Sequence, residues 1–119
     1  MTGDPRSLKP TIQVRSPQPH AALIELGGEH DLYSADQLRQ TIDMSLPGCD
    51  HLIIDLSAAE FVDSTIIGVL VQTMKKASGL GRKFGVVLGT APVVERALEV
   101  SGVLPLLNVE STVERALVA

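Results

Sequence analysis

Four large aliphatic side chains crowd into the six-residue stretch His51–Leu56, HLIIDL, near the middle of the chain. Side chains alternate between the two faces of a strand, so Leu52, Ile53, Ile54 and Leu56 would load both faces with apolar surface. A strand of this kind must be central and covered on both sides. The cover has to be helical, and the flanking sequence supplies helices.

On the upstream side, Ser34 followed by Gln37 makes a capping-box pattern. Ala35, Leu38, Ile42 and Leu46 then recur at spacings of three and four, which gives one apolar face, and Pro47-Gly48 ends the helix. On the downstream side, Asp63 or Ser64 caps a second helix, Ser64–Ser78. Ile66, Ile67, Leu70, Val71, Met74 and Ala77 form its broad apolar face. Lys75 and Lys76 fall in its last turn, where cations suit the helix dipole, and Gly79 and Gly81 close it.

Before the central strand, Thr11–Arg15 alternates with Ile12 and Val14 on one side, and Pro17 and Pro19 break it. Ala21–Leu26 is a second strand that stops at Gly27-Gly28, so the two form an antiparallel hairpin. After the second helix come a buried strand, Phe84–Leu88, and a third helix opened by Thr90 and Pro92 that runs towards Gly102 and buries Val94, Ala97 and Leu98. A short edge strand over Leu104–Val109 follows. Ser111 with Glu114 then starts a last short helix with Val113, Ala116 and Leu117 inward. The order β-β-α-β-α-β-α-β-α predicts an α/β domain with a mixed sheet of about five strands and about four helices. That domain spans residues 11–119. Met1–Pro10, with two prolines, Gly3 and scattered charges, reads as a mobile tail.

Composition narrows the function. The chain has 119 residues, enough for one domain, with 45% hydrophobic and 20% charged residues. Aromatics are 3%, so Val, Ile, Leu and Ala must build the core, and base stacking has little to work with. A net charge of -4 argues against a direct nucleic-acid face. The one cysteine, Cys49, excludes an internal disulfide or a cysteine-cluster metal site, and it has no activating partner nearby. The longest mostly apolar run, Ile66–Met74, is too short for a membrane helix, and Met1–Pro10 lacks the apolar core of a secretory signal. A cytoplasmic location is expected.

Catalytic chemistry is sparse. His20, His30 and His51 fit no metal-ligand spacing, and His20 and His51 read as surface residues. There is no phosphate-binding loop, and Gly79-Leu80-Gly81 lies at the wrong end of a helix for one. Lys75, Lys76, Arg82 and Lys83 read as a solvated face. Asp55, Glu60 and Asp63, and Glu29 with Asp31, are paired carboxylates, which acid–base catalysis would need gathered in a cleft. No catalytic residue, cofactor or metal is expected, and the chain reads as a non-enzyme.

One constellation stands apart. The chain passes from the buried strand through Ser57–Val62 to Asp63-Ser64-Thr65 and straight into an apolar helix. A phosphoryl group on that first turn would meet free backbone N–H groups and the positive end of the dipole. By residue chemistry alone, helix capping is the commoner role for Asp63 and Ser64.

The segment Asp55-Leu56-Ser57-Ala58-Ala59-Glu60-Phe61-Val62-Asp63-Ser64-Thr65 resembles the signature of STAS-domain proteins, specifically the anti-sigma factor antagonists. Gly68, Val69 and Leu70 continue the pattern. Gly28-Glu29-His30-Asp31-Leu32-Tyr33-Ser34-Ala35 is similar to the family's motif between the second strand and first helix, and Val113-Glu114-Arg115-Ala116-Leu117 is like its usual ending. The resemblance covers Thr11 to Ala119. One position departs: the glycine usual after the Asp-Ser-Ser/Thr triplet is Ile66 here, which either packs inward or alters the contact surface.

The resemblance implies a bacterial partner-switching regulator of sigma-factor-dependent transcription. Unphosphorylated, it would bind an anti-sigma factor that is a serine kinase. Phosphorylation on Ser64 would release it, and a separate serine phosphatase would reset it. Asp31, Asp63, Ser64 and Thr65 would form the partner-binding surface. Asp31, with no helix of its own to cap, is expected to serve binding and not folding. The alternative within the family is an accessory subunit of a membrane transport ATPase, docked permanently by the same helix start.

Overall fold

The computed structural model describes residues 9–119, so most of the expected tail lies outside the described residues. Lys9 and Pro10 precede the first strand outside any helix or strand. The central strand expected at His51–Leu56 is β3, His51–Val62, twice the expected length. From His51 to Leu56 it is buried on both faces apart from a half-buried His51, and only Ala59 and Val62 are buried beyond that.

The hairpin is present. β1 (Thr11–Arg15) pairs antiparallel with β2 (Ala21–His30). β2 does not stop at Gly27-Gly28. It runs through both glycines, with Gly28 at φ 76 and register shifts against β3 on either side of the pair. A positive φ is tolerated there because glycine has no Cβ, and the shifts are bulges on β3, which places one extra residue between Asp55 and Ala58 and another between Ala59 and Phe61, so pairing continues.

The remaining elements are α1 (Leu32–Ser45), α2 (Ser64–Gly79), β4 (Lys83–Val87), α3 (Pro92–Val100), β5 (Val109–Glu110) and α4 (Val113–Val118). The five strands lie in the order β1-β2-β3-β4-β5, with every neighbouring pair after the hairpin parallel. Parallel strands stepping one way with right-handed crossovers put all the connecting helices on one face. Packing agrees. Ile24, Leu26, Leu52, Ile54, Leu56 and Val86 share one core with Leu38 and Ile42 of α1, Ile66 and Leu70 of α2, and Val94 and Leu98 of α3. On the other face, Leu23, Ile53 and Val87 pack against Ala116, Val113 and Leu117 of α4. Among the described residues no helix is long and apolar enough to cross a membrane.

Two boundaries differ from expectation. The edge strand over Leu104–Val109 is instead a 3-10 turn, Leu104–Leu106, followed by the two-residue β5. Pro105 cannot donate to a ladder, and Asn108 at φ 53 turns the chain just before β5. At α4 the cap is Thr112, whose hydroxyl accepts from the Arg115 N–H at 3.2 Å, and not Ser111.

Gly89, which follows β4, sits where two backbones nearly touch. A Cβ there would lie 2.8 Å from Ser57 Cα and from the Ser57 carbonyl oxygen. Backbone on a central strand has little freedom to yield. Gly89→Ala is therefore expected to lower unfolding free energy by about 1–3 kcal/mol, as overpacking does. Urea denaturation checks this, and an unchanged midpoint would show that the loop after β4 shifts freely.

Candidate functional site

The parallel register of β2 and β3 ends with His30 opposite Val62. The next residue on each chain segment is an aspartate. The Asp63 N–H donates to the His30 carbonyl at 3.2 Å, which extends the pairing by one bond and holds the two aspartates at the same edge. Each then caps a helix. Asp31 accepts from the Tyr33 N–H at 2.9 Å and starts α1, and Asp63 accepts from the Ile66 N–H at 3.1 Å and starts α2. Two helix N-termini, each with a positive dipole end, thus open side by side at the carboxyl edge of a parallel sheet.

The four expected site residues are brought together here. Ser64 is the first residue of α2 and is exposed, while Thr65 is half-buried. The Asp63 cap claims the Ile66 N–H and leaves those of Ser64 and Thr65 outside the helix's own bonding. Ile66 is fully buried in the core, so the departure from the family's glycine packs inward and does not project from the helix start.

The expectation that Asp31 has no helix to cap is wrong. Its carboxylate holds the first turn of α1, and Ser34, the expected cap, is the third helical residue and buried. The Ser34 hydroxyl lies 3.0 Å from Nδ1 of His30, and the His30 Nε2 lies 2.8 Å from the Gly27 carbonyl. The Gly27 carbonyl only accepts, so Nε2 carries a proton, and the Ser34 hydroxyl, which also donates to the Asp31 carbonyl at 3.2 Å, links that carbonyl to Nδ1. His30, fully buried, thereby ties the end of β2 to the start of α1. Burial pushes its pKa below the ordinary imidazole range. The carbonyls of Gly27 and Thr11 and the charge of Asp31 pull the other way and do not offset it.

Other candidates take structural parts. Asp55 is buried and accepts from the Ser57 N–H at 2.8 Å and the Ser57 hydroxyl at 2.6 Å, away from this edge. Arg82 is not part of a solvated face. Its guanidinium donates to the carbonyls of Leu46 and Cys49, clamping the end of α1. Lys76 pairs with Asp43 at 3.2 Å. His20 is exposed in the hairpin turn at φ 64, and His51 is half-buried, its pKa lowered by burial and by Lys83. Burial raises the pKa of the Cys49 thiol, which weakens it as a nucleophile.

What sequence reading missed at this edge is apolar. Leu32, Tyr33 and Phe61 are 58%, 86% and 39% exposed, each within two residues of a capping aspartate. The available signal was the placement of two of the chain's three aromatics within two residues of Asp31 and Asp63.

An Asp-capped edge that presents an exposed serine on a parallel α/β sheet corresponds to a known family. Residues 11–116 match the STAS domain, and the chain belongs to that family. Among its curated relatives, the anti-sigma-F factor antagonist RsfB of Mycobacterium tuberculosis is 35% identical over 97 residues, covering 81% of this chain and 78% of RsfB. The anti-sigma F factor antagonist of Paenibacillus polymyxa is 27% identical over 89 residues, covering 73% and 75%. The crystal structure of an anti-sigma factor antagonist from Mycobacterium paratuberculosis superposes with a TM-score of 0.83 at 29% identity, covering 92% of each chain.

Two outcomes are expected of this edge. Asp31→Ala should lower stability by about 0.5–2 kcal/mol, the usual cost of losing an N-cap side chain, as read from urea unfolding. His30 should also make stability fall on acidification. Its folded pKa lies below the unfolded value of about 6.5, so as pH drops past 6.5 the unfolded chain takes up the proton first. His51 acts in the same sense. The urea midpoint should be lower at pH 5.5 than at pH 7.5. In an NMR titration the His30 ring should remain neutral at a pH where a free imidazole is half-protonated.

Proposed function

We propose that this protein is an anti-sigma factor antagonist: it binds a kinase-type anti-sigma factor through the Asp31/Asp63 edge and is switched off by phosphorylation of Ser64. The observation that carries the reading is the exposed Ser64 hydroxyl on the first turn of α2, next to the second capped helix start. The antagonist relatives support the same assignment.

The chemistry asks little of this chain. The partner kinase supplies ATP and a base. The Ser64 oxygen attacks the γ-phosphorus, the hydroxyl proton passes to that base, and ADP leaves. The product phosphate sits at a helix N-terminus, where N–H groups and the dipole tolerate it. It adds about -1.5 to -2 charge at neutral pH, beside Asp63 and near Asp31. The added bulk then separates the docked surfaces, and the new charge faces the phosphates of the nucleotide held by the kinase, which repel it although the partner's rim is basic. A serine phosphatase removes the phosphate and restores binding. The protein works in the cytoplasm, acts on transcription through its partner and touches no nucleic acid itself.

Three measurements test this. Incubation with the kinase and ATP, followed by peptide mapping, should place phosphate on Ser64, and Ser64→Ala should abolish it. Phosphate on Thr65 alone would overturn the assignment. Ser64→Asp should weaken kinase binding in titration calorimetry while leaving the fold intact or stabilised by about 0.3–1 kcal/mol, because an acidic residue at a helix start is favourable. Asp31→Asn separates the two roles of Asp31. Asparagine caps about as well as aspartate, so stability should stay within about 0.5 kcal/mol of wild type while affinity falls and its salt dependence weakens. Unchanged affinity would remove the Asp31 charge from the binding surface.

A further inference from the structure

The chain has only three aromatic residues, and they are not shared evenly between core and surface. Phe84 is 6% exposed in the core, whereas Tyr33 is 86% and Phe61 is 39% exposed. Both exposed aromatics sit at the edge that carries Ser64. Tyr33 is two residues after the capping Asp31, and Phe61 is two residues before the capping Asp63. Leu32, 58% exposed, lies beside Tyr33. A protein this poor in aromatics leaves two of them in water next to its phosphoacceptor helix. Tyr is also among the residues that dominate binding energy when buried at an interface, since it offers large apolar area and a polar tip at a small entropy cost.

The charge around them is of one sign. Across Gly28–Leu38 and Ser57–Ile67 the acidic residues are Glu29, Asp31, Asp36, Glu60 and Asp63, and neither segment contains Lys or Arg. Asp36 is paired with Arg39 of the next turn at 2.8 Å, while Glu29 and Glu60 are exposed. A complementary partner therefore offers an apolar pocket rimmed by Lys and Arg.

Resting on the function proposed above, we infer that Tyr33, beside Leu32 at the start of α1, is the apolar anchor with which this protein docks on its anti-sigma factor, and that Phe61, on the strand leading to Asp63, is a secondary contact. The carboxylates steer and orient the encounter, and Ser64 switches it. Tyr33 supplies the affinity and, by the fit of its ring, selects one anti-sigma factor over another with the same basic rim. The backbone N–H of Tyr33 belongs to the Asp31 cap, but its side chain holds nothing in the fold, so it can be changed without disturbing α1.

The test is titration calorimetry of the full chain with a purified kinase-type anti-sigma factor, using Tyr33→Ala, Tyr33→Phe, Phe61→Ala, Asp31→Asn and Ser64→Asp. Met44→Ala serves as control: it is 83% exposed at the opposite end of the same helix. Tyr33→Ala should weaken binding by about 10- to 100-fold, Phe61→Ala by less, and Tyr33→Phe and Met44→Ala by under about threefold. Melting temperatures of Tyr33→Ala, Tyr33→Phe and Met44→Ala should stay close to wild type, because both side chains are exposed. Wild-type affinity in Tyr33→Ala, with Asp31→Asn and Ser64→Asp still weakened, would overturn the anchor and leave the proposed function standing. Loss of affinity in Met44→Ala equal to that in Tyr33→Ala would also overturn it. An absence of any effect from Asp31→Asn and Ser64→Asp would instead overturn the proposed function itself.

Discussion

The site depends on the parallel register of β2 and β3. The pairing that begins in the buried core, with Ile24 beside Ile54, continues past the last core residues to His30 beside Val62. One more bond, from the Asp63 N–H to the His30 carbonyl, sets the two helix starts level with each other. A slip of one residue would reverse the faces of every core side chain, so the core enforces the register strongly. The functional edge thereby inherits its geometry from apolar packing several residues away. Two extra residues on β3, one between Asp55 and Ala58 and one at Glu60, are taken up as bulges, so β2 follows the longer β3 to that point without losing the pairing.

Asp31 and Asp63 each do two things with one carboxylate. Each satisfies an N–H that the first helical turn leaves without a partner, and each places negative charge on an exposed edge. Under the proposed function, folding and recognition would draw on the same atoms at these positions. Alanine there removes both at once, whereas asparagine keeps the cap and removes the charge. His30 adds a further tie beneath the edge: its neutral ring bridges Gly27 and Ser34 in a fully buried position.

A phosphate on Ser64 falls where a helix start favours negative charge, by about 0.3–1 kcal/mol for an exposed group. The same charge meets an edge already lined with carboxylates. The proposed modification would thus be nearly neutral or mildly favourable for the fold and would act mainly on the interface. Such a switch needs no rearrangement of the domain. Ile66 does not interfere, because its side chain points into the core between the sheet and α2.

Periodicity and short motifs determined the element order and the two-sided burial of Leu52–Leu56 and narrowed the α2 cap to Asp63 or Ser64, because those properties depend on neighbours within a few residues. The family resemblance carried Asp31, Asp63, Ser64 and Thr65 to one surface, and the fold brings them to one edge. Three things were decided only by tertiary structure. β2 runs through its glycines because a partner strand was there to pair with, which no local propensity contains. The α1 cap moved from Ser34 to Asp31 because Ser34 was needed beneath the helix, bonded to a buried His30 whose location depends on the sheet. The exposure of Tyr33 and Phe61 follows from which faces the sheet and helices had already claimed. A sequence states which side chains are apolar; only the packed chain decides which of them remain uncovered.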